Sequence, residues 1–193
     1  MKTLDEYLEL AGRAHGHLCA GQVLGVRMAM YGLGLLGIAD PEAERKRLVT
    51  FVEIDRCATD AIQVVTGCRF GKRALKFRDF GKMAATFCDL REGRAFRIAA
   101  RDSARLRARE LHCDLENANE REMLAYRELP DSELFLARAV RVHVAPEDLP
   151  GFKAPRVACS RCGEGISFRR EVVRDGVTLC RACAGEAYYE LVD

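Results

Sequence analysis

The sequence has no apolar run near the roughly 18 residues that a membrane-spanning helix needs, and no excess of charge of one sign. Its 31 lysine and arginine residues stand against 29 aspartate and glutamate residues, which leaves a formal net charge of +2. A domain dedicated to polyanions is normally clearly basic, so this balance disfavours nucleic acid as a partner. The first residues carry acids where a secretory signal would carry positive charge, so we expect a soluble, cytoplasmic protein with no membrane partner.

Proline is also scarce, and its placement predicts the domain organisation. Three of the five prolines lie between residues 145 and 155, and a residue without a backbone N–H interrupts regular structure. We therefore predict a core domain at residues 1–145, a proline-rich linker at 146–156 and a small module at 157–193. Such a module is too short to fold on an apolar core without an additional cross-link or metal.

Apolar residues make up 49% of the chain, and they follow both helical and strand periods. The helical period predicts helices at 4–14, 22–36 and 58–66, and one long helix at 103–126. Clusters of β-branched and aromatic residues predict strands at 47–55, 82–89, 94–101 and 137–144. Paired strands with intervening helices predict an α+β core domain, with an antiparallel or mixed sheet and packed helices.

Cysteine, in contrast to proline, is abundant, with nine residues in 193. In a reducing compartment this number favours metal binding or thiol chemistry over disulfides. The clearest pattern is C-x2-C-x17-C-x2-C, formed by Cys159, Cys162, Cys180 and Cys183. It predicts a tetrahedral, structural Zn²⁺ site in a small C-terminal four-cysteine module of the zinc-ribbon or treble-clef type. Two redox dithiols are the alternative interpretation.

The charge of this module bears on its partners. From residue 156 onward arginines and acids balance, and four thiolates with one Zn²⁺ then make the loaded module acidic. It therefore lacks the positive field that attracts phosphate, which favours contact with protein over nucleic acid. A helix is predicted at 182–191, which places the second cysteine pair at or just before a helix N-terminus that favours thiolates.

A second group of metal-binding residue types lies near the start of the chain, where His15, His17 and Cys19 fall within five residues. Cys57 follows a predicted strand and opens a predicted helix, a setting that Cys19 shares. A helix N-terminus favours the thiolate, so we expect both thiols to have lowered pKa values. If the two helix starts converge, His17, Cys19 and Cys57 form a site of two thiolates and one imidazole with an open position for Zn²⁺ or Fe. A pair of ordinary surface histidines is the alternative.

Such an open metal position could activate water or polarise a carbonyl, with Asp55 or Asp60 as the nearby acid–base group. Of these residues we take Cys57 and Asp60 as the candidate catalytic residues. Cys68 is a candidate further participant in this core site. Cys88 and Cys113 lie inside predicted regular elements, where free cysteine is commonly buried, so we expect both in the core.

Arginine is concentrated between residues 91 and 109, where seven arginines accompany only Glu92 and Asp102 as acids. A solvated face is one interpretation of this segment. An anionic partner and a subunit interface are the others.

These motifs resemble those of the FmdE family, which is named for a subunit of formylmethanofuran dehydrogenase. The resemblance rests on the H-G-H-L-C-A-G segment and three later groups of residues, at 15–28, 53–72, 79–82 and 129–135. Ala20 stands where the family usually has proline, and Arg69 stands where it often has threonine.

The resemblance implies an α+β core followed by a cysteine-rich zinc module, and a homodimer. It also places His17, Cys19 and Cys57 at the family's motif histidine and cysteine positions, which favours the second metal site in the core. A role in molybdenum- or tungsten-enzyme or one-carbon metabolism, in contact with a partner protein or larger enzyme complex, follows from the family's name. A non-enzymatic zinc-finger adaptor that binds a partner protein is the alternative function.

Overall fold

The computed structural model describes residues 1–44 and 46–192. Its first helix, α1 (Leu4–His15), begins at a capping box in which the Glu6 carboxylate accepts the backbone N–H of Thr3 at 2.7 Å. The helix ends at Gly16, whose φ of 95° lies in the left-handed region that favours glycine. The chain therefore turns sharply just after His15.

Two apolar helices, α2 (Ala20–Leu36) and α3 (Cys57–Thr66), pack closely against each other. The contact depends on Gly25, because a Cβ atom there would lie 2.5 Å from the backbone oxygen of Ala58. The first turns of α2 and α3 are thus neighbours, which is the convergence that a core site requires.

Five strands form one sheet: β1 (Leu48–Val52), β2 (Leu75–Phe77), β3 (Ala84–Asp89), β4 (Arg94–Ala100) and β5 (Phe135–Val140). Their order is β2-β1-β3-β4-β5, with β1 and β2 parallel and every other pair antiparallel. Helix α2 packs on β3 and β4, and Met28, Leu33 and Phe87 are fully buried in this core. The predicted α+β fold with a mixed sheet is confirmed.

Several predicted elements differ from the structure. The single helix expected at 103–126 is two helices, α4 (Ser103–Leu111) and α5 (Ala118–Glu128), because the Asn117 side chain caps a new helix start. Cys113 lies between them and is exposed, so its expected core position is wrong. A short helix, α6 (Asp131–Leu134), leads into β5, which begins and ends earlier than expected, and β2 was not predicted at all.

The chain divides into two compact units, Met1–His143 and Val144–Asp193. The limits at residues 145 and 156 remain a prediction. The first unit is called the core unit below, and the second the C-terminal unit. None of the helices within the described residues is long and apolar enough to cross a membrane.

The C-terminal unit contains two short antiparallel pairs of strands, β6 (Val157–Ala158) with β7 (Gly165–Ile166), and β8 (Val172–Arg174) with β9 (Val177–Leu179). The helix expected at 182–191 is wrong. A short helical segment, Ala182–Glu186, stands there instead, because Gly185 at φ 101° interrupts the helical backbone.

Candidate metal centres

The four cysteines of the C-terminal unit converge as their spacing predicts. Their Sγ atoms, those of Cys159, Cys162, Cys180 and Cys183, lie within 4.8 Å of one another. The first pair stands in the turn between β6 and β7, and the second follows β9. Backbone N–H groups point at the sulfurs: Cys180 donates to Cys159 at 3.2 Å, and Cys183 donates to Cys180 at 3.3 Å.

The chemistry of this cluster fits a divalent cation. Backbone N–H groups of Cys162 and Cys180 lower the pKa of Cys159 to about 6. A hydrogen bond with the Cys180 sulfur raises the pKa of Cys183 to about 12, because the Cys183 thiol proton is shared with that neighbour. A cation bound by all four sulfurs would take the place of such a proton, and four soft donors in mutual contact suit tetrahedral Zn²⁺.

The unit around the cysteines has little other material on which to fold. Its cluster of buried residues consists of Ile166, Leu179, Ala184 and Cys159 itself. Such a cluster buries far less apolar surface than a domain needs to offset its conformational entropy. A bound metal is therefore the expected source of its stability.

The histidines and the first cysteine of the core unit also form a cluster. His15 is the last residue of α1, and Cys19 is the residue that precedes α2, with the Gly16 turn between them. One donor atom from each of His15, His17 and Cys19 lies within 4.8 Å of the others. The two imidazole rings have centroids 4.9 Å apart.

Cys57, the first residue of α3, lies beside Cys19, although it is not one of the three residues whose donor atoms all lie within 4.8 Å of one another. A Cβ atom placed on Gly21 would lie 3.1 Å from the Cβ of Cys57 and 3.8 Å from the Sγ of Cys19. The expected lowering of the Cys57 pKa is wrong. Burial first, and then the hydrogen bond with Cys19, raise the pKa of this thiol.

Asp60 contacts the cluster through a histidine. Its Oδ2 lies 2.8 Å from the Nδ1 of His15, and Gln63 Nε2 donates to its other carboxylate oxygen at 3.4 Å. The His15 side chain is 19% exposed and that of Asp60 48% exposed. A carboxylate in this position favours the His15 tautomer with the proton on Nδ1, which leaves Nε2 as an acceptor.

Two residues that the sequence analysis missed hold the helix starts in place. Gln22 is fully buried, and its Nε2 donates to the backbone oxygen of Cys57 at 2.6 Å. Within the described part of the chain its Oε1 has no hydrogen-bond partner. Asn119 accepts the backbone N–H of Ala20 at 2.9 Å. A glutamine inside the apolar α2 segment was the one sequence signal that could have indicated this contact.

The remaining core cysteines lie elsewhere. Cys68 is buried against β1, where the Thr50 hydroxyl donates to its Sγ at 3.4 Å and the Leu48 carbonyl lies 3.6 Å away. It is not part of the three-residue cluster found among residues 1–44 and 46–192. Cys88 is buried in β3, as expected.

Comparison with known families gives two matches. A family described as FmdE, Molybdenum formylmethanofuran dehydrogenase operon, matches residues 14–136. A family described as Prokaryotic dksA/traR C4-type zinc finger matches residues 153–189. The first match contains the histidine and cysteine cluster of the core unit, and the second contains the four cysteines.

The chain is also similar to individual proteins. A probable S-adenosyl-L-methionine-binding protein of Archaeoglobus fulgidus is 29% identical over 215 aligned positions, covering 98% of this chain and 55% of that protein. The chain thus spans about half the length of this curated relative. The crystal structure of a tungsten formylmethanofuran dehydrogenase FmdE-like protein from Syntrophus aciditrophicus has a TM-score of 0.65 at 23% identity, covering 98% of this chain and 96% of that one. This likeness shows a shared fold.

Proposed function

The chain belongs to the FmdE family, and from this membership we propose that it is a metal-binding protein with two sites of different kinds. The first is a structural zinc site, for which the zinc-finger match and the mutual approach of the four sulfurs are the support. Its ligands are Cys159, Cys162, Cys180 and Cys183. The second lies in the core unit, and its ligands are His17, Cys19 and Cys57.

The observation that carries the core site is the meeting of two helix starts. His17 and Cys19 precede α2 and have donor atoms within 4.8 Å of each other, while Cys57 opens α3 and contacts Cys19. One nitrogen and two sulfur donors suit Zn²⁺ or Fe, and three protein ligands leave a coordination position open. Because His17 is exposed, that position is accessible from solvent.

An ion bound there would supply a Lewis acid that polarises a carbonyl or lowers the pKa of a bound water. The chain's own contribution is His15, whose Nδ1 faces the Asp60 carboxylate at 2.8 Å and whose Nε2 can accept a proton. Cys57 and Asp60, the two candidate catalytic residues, thus act as a metal ligand and as the group that orients His15.

The metabolic setting follows from the names of the relatives. The family description refers to the operon of a molybdenum formylmethanofuran dehydrogenase, and the structural neighbour is called a tungsten formylmethanofuran dehydrogenase FmdE-like protein. We therefore propose a role beside a molybdenum or tungsten enzyme of one-carbon metabolism. The S-adenosylmethionine binding named for the longer relative is not carried over, because nearly half of that protein has no counterpart in this chain.

The proposal extends to assembly and location. We propose contact with a larger enzyme complex, because the neighbour's name refers to one subunit of a dehydrogenase. The homodimer that the family resemblance implies is part of the same proposal. All nine cysteines are free, which is typical of proteins kept in a reducing compartment, so a cytoplasmic location is proposed.

A non-enzymatic adaptor is the second candidate function, and one observation favours it. After the zinc cluster the chain carries exposed apolar side chains, with Tyr188 96%, Leu191 89% and Val192 94% exposed. Exposed apolar groups clustered in one segment are typical of surfaces that bind another protein. An adaptor needs only the structural zinc, so it predicts one metal ion per chain.

Elemental analysis of protein purified without oxygen or chelator separates the two functions. We expect two metal ions per chain in the wild type and one in both Cys57→Ala and His17→Ala. Cys113→Ala is the matched control, because Cys113 is exposed and distant in sequence from both clusters, and it should retain two. His15→Ala should also retain two, because His15 is proposed to move a proton rather than to bind the ion. One metal ion in every sample would contradict the core site and favour the adaptor.

A further inference from the structure

A cavity of about 470 Å³ lies in the core unit, between the start of α2, the end of β4, the start of α4 and the helix α5. Leu24, Met83, Ala99 and Ala104 contribute apolar wall to it. A cavity of this size with partly apolar walls is in the range that holds a small organic molecule.

The charged lining of this cavity is predominantly positive. Four cationic residues border it, Lys82, Arg97, Arg101 and Arg105, against the two acids Asp102 and Glu122. Three of these cations are arginines from the arginine-rich segment at 91–109. The segment therefore does more than form a solvated face, because part of it converges on one concave surface.

Two of the four cations are engaged by acids. Arg97 donates from Nε and Nη2 to the two carboxylate oxygens of Glu53 at 2.7 and 2.6 Å. Arg105 lies 3.8 Å from the Glu122 carboxylate. These pairs fix the positions of the side chains, and they leave little charge for a ligand.

The other two cations are available. Arg101 uses Nε to donate to the backbone oxygen of Phe135 at 3.0 Å, and its terminal nitrogens have no partner among residues 1–44 and 46–192. The ammonium group of Lys82 likewise has no ion pair within the described residues. The two terminal guanidinium nitrogens of Arg101 and the ammonium group of Lys82 are therefore suitable donors for a carboxylate or a phosphate.

Tyr126 also lines the cavity, and its hydroxyl already interacts with two neighbours there. Burial, with a further contribution from Glu122, raises the pKa of Tyr126 to about 12. Because the hydroxyl is engaged with Glu122 and Arg105, it helps to fix these two side chains, and the polar groups left for a ligand are those of Lys82 and Arg101.

One end of the cavity adjoins the candidate metal centre. Gly21 lines the cavity, and a Cβ atom on it would lie 3.1 Å from Cys57 Cβ and 3.8 Å from Cys19 Sγ. The absence of a side chain at this position keeps the wall between cavity and cysteines thin. A molecule held by Lys82 and Arg101 would therefore lie in a cavity that shares one wall, at Gly21, with the cysteine pair.

We propose that this cavity binds a small organic acid, a carboxylate or phosphate ester with an apolar body, whose anionic group is held by Lys82 and Arg101. The binding itself depends on the cavity alone. Its interpretation as the substrate class of the core site rests on the proposed function.

Isothermal titration of the full chain tests the binding with three probes that share one apolar body: 1-naphthoate, 1-naphthyl phosphate and the neutral 1-naphthalenemethanol. We expect at least one anionic probe to bind and the neutral probe not to bind. Arg101→Gln and Lys82→Gln should each weaken the anion about tenfold, the usual effect of removing one charge-assisted hydrogen bond. Arg109→Gln is the matched control, because this exposed arginine is on α4 but does not line the cavity, and it should bind as the wild type does.

The preferred anionic probe distinguishes a carboxylate from a phosphate ligand. Failure of both anionic probes to bind, or equal binding by the wild type, Arg101→Gln and Lys82→Gln, would overturn the proposal. Metal content measured on the same samples separates this failure from failure of the proposed function. Anion binding with only one metal ion per chain would support the proposed ligand of the cavity and contradict the core metal site. Two metal ions per chain without anion binding would support the core metal site and contradict the proposed ligand of the cavity.

Discussion

The two cysteine-bearing regions of this chain hold their candidate ligands in opposite ways. In the C-terminal unit the four cysteines stand on short strand pairs and turns, around a small buried cluster to which Cys159 itself belongs. In the core unit Cys19 and Cys57 stand at the starts of helices that are fixed by a large apolar core, and His17 lies in the turn between α1 and α2. The first arrangement has few contacts without its metal, whereas the second is held in place before any ion binds.

This difference is the one expected between a structural site and the core site that we propose. Where a metal ligand is also part of the buried core, the free energy of metal binding contributes directly to the free energy of folding. Where helices such as α2 and α3 already fix the ligand positions, the ion is not needed for the fold. Its coordination can then change during a reaction at little cost to stability.

The largest effect is expected from Cys159→Ser. Cys159 is only 2% exposed and accepts the N–H of Cys180, so the variant removes both a metal ligand and part of the core. Structural zinc contributes about 10–16 kcal/mol of binding free energy to small domains, which this unit cannot replace. Amide NMR spectra should show residues 144–192 losing their dispersion while residues 1–143 stay unchanged. Cys113→Ser is the control. Well-dispersed amide resonances from the C-terminal unit of Cys159→Ser would contradict the claim that metal binding stabilises this unit.

Acid should separate the two units in the wild type. Metal ligands must be deprotonated, so falling pH releases the ion and unfolds the C-terminal unit. In the core unit the bidentate contact with Arg47 lowers the pKa of the buried Asp89 carboxyl below its value in the unfolded chain. The stability that this ion pair contributes is therefore fully present above the pKa of the unfolded chain. It is lost only as the pH falls through the lower pKa of the folded protein.

At about pH 4.5, above the ordinary aspartate pKa of about 3.9, far-UV circular dichroism should therefore retain the helical signal of the core unit. Amide NMR at the same pH should show the C-terminal unit unfolded. Simultaneous loss of both units on acidification would argue against separate sources of stability.

A pair of glycine substitutions in α2 tests how rigidly the core unit holds its ligands. At Gly25 an added Cβ would lie 2.5 Å from the Ala58 oxygen, so Gly25→Ala should force α2 and α3 apart and cost about 3 kcal/mol. At Gly34 there is nothing within 4 Å, so Gly34→Ala should stabilise the same helix by about 0.5–1 kcal/mol. Thermal unfolding followed by circular dichroism measures both. Equal melting temperatures would contradict the close packing of these helices.

The smallest effect on the fold is expected at the core site itself. His17 is exposed, so His17→Ala should change the free energy of unfolding of the core unit by less than about 0.5 kcal/mol. The same variant should lose the core metal ion. Urea unfolding followed by the helical signal provides the measurement, and a large loss of stability would mean that the core ion is structural after all.

The spacing of the four C-terminal cysteines was sufficient to predict their convergence, because each pair is separated by two residues and a turn joins them. Helix α3 was likewise predictable, since Gly67 ends it with φ 67°. These are local features. A few neighbouring residues determine them, and the sequence displays those residues directly.

The core site and the cavity could be predicted only in part, because they depend on packing between distant segments. Nothing near His15 indicates that Asp60 will lie 2.8 Å from its ring, or that the Gln22 side chain will reach Cys57. The break before α5 depends on one capping residue, Asn117, in a segment whose apolar period continues. Strand β2 is only three residues long, too short for a period to emerge.

Stepwise removal of metal from the wild-type chain tests the central claim most directly. Chelator is added while released metal and amide NMR spectra are recorded on the same sample. The account predicts two metal ions per chain. Loss of the ion in the C-terminal unit should remove the dispersion of the resonances of residues 144–192. After both ions are lost, the resonances of residues 1–143 should still be dispersed. Release of a single ion, or unfolding of the core unit as its ion leaves, would contradict it.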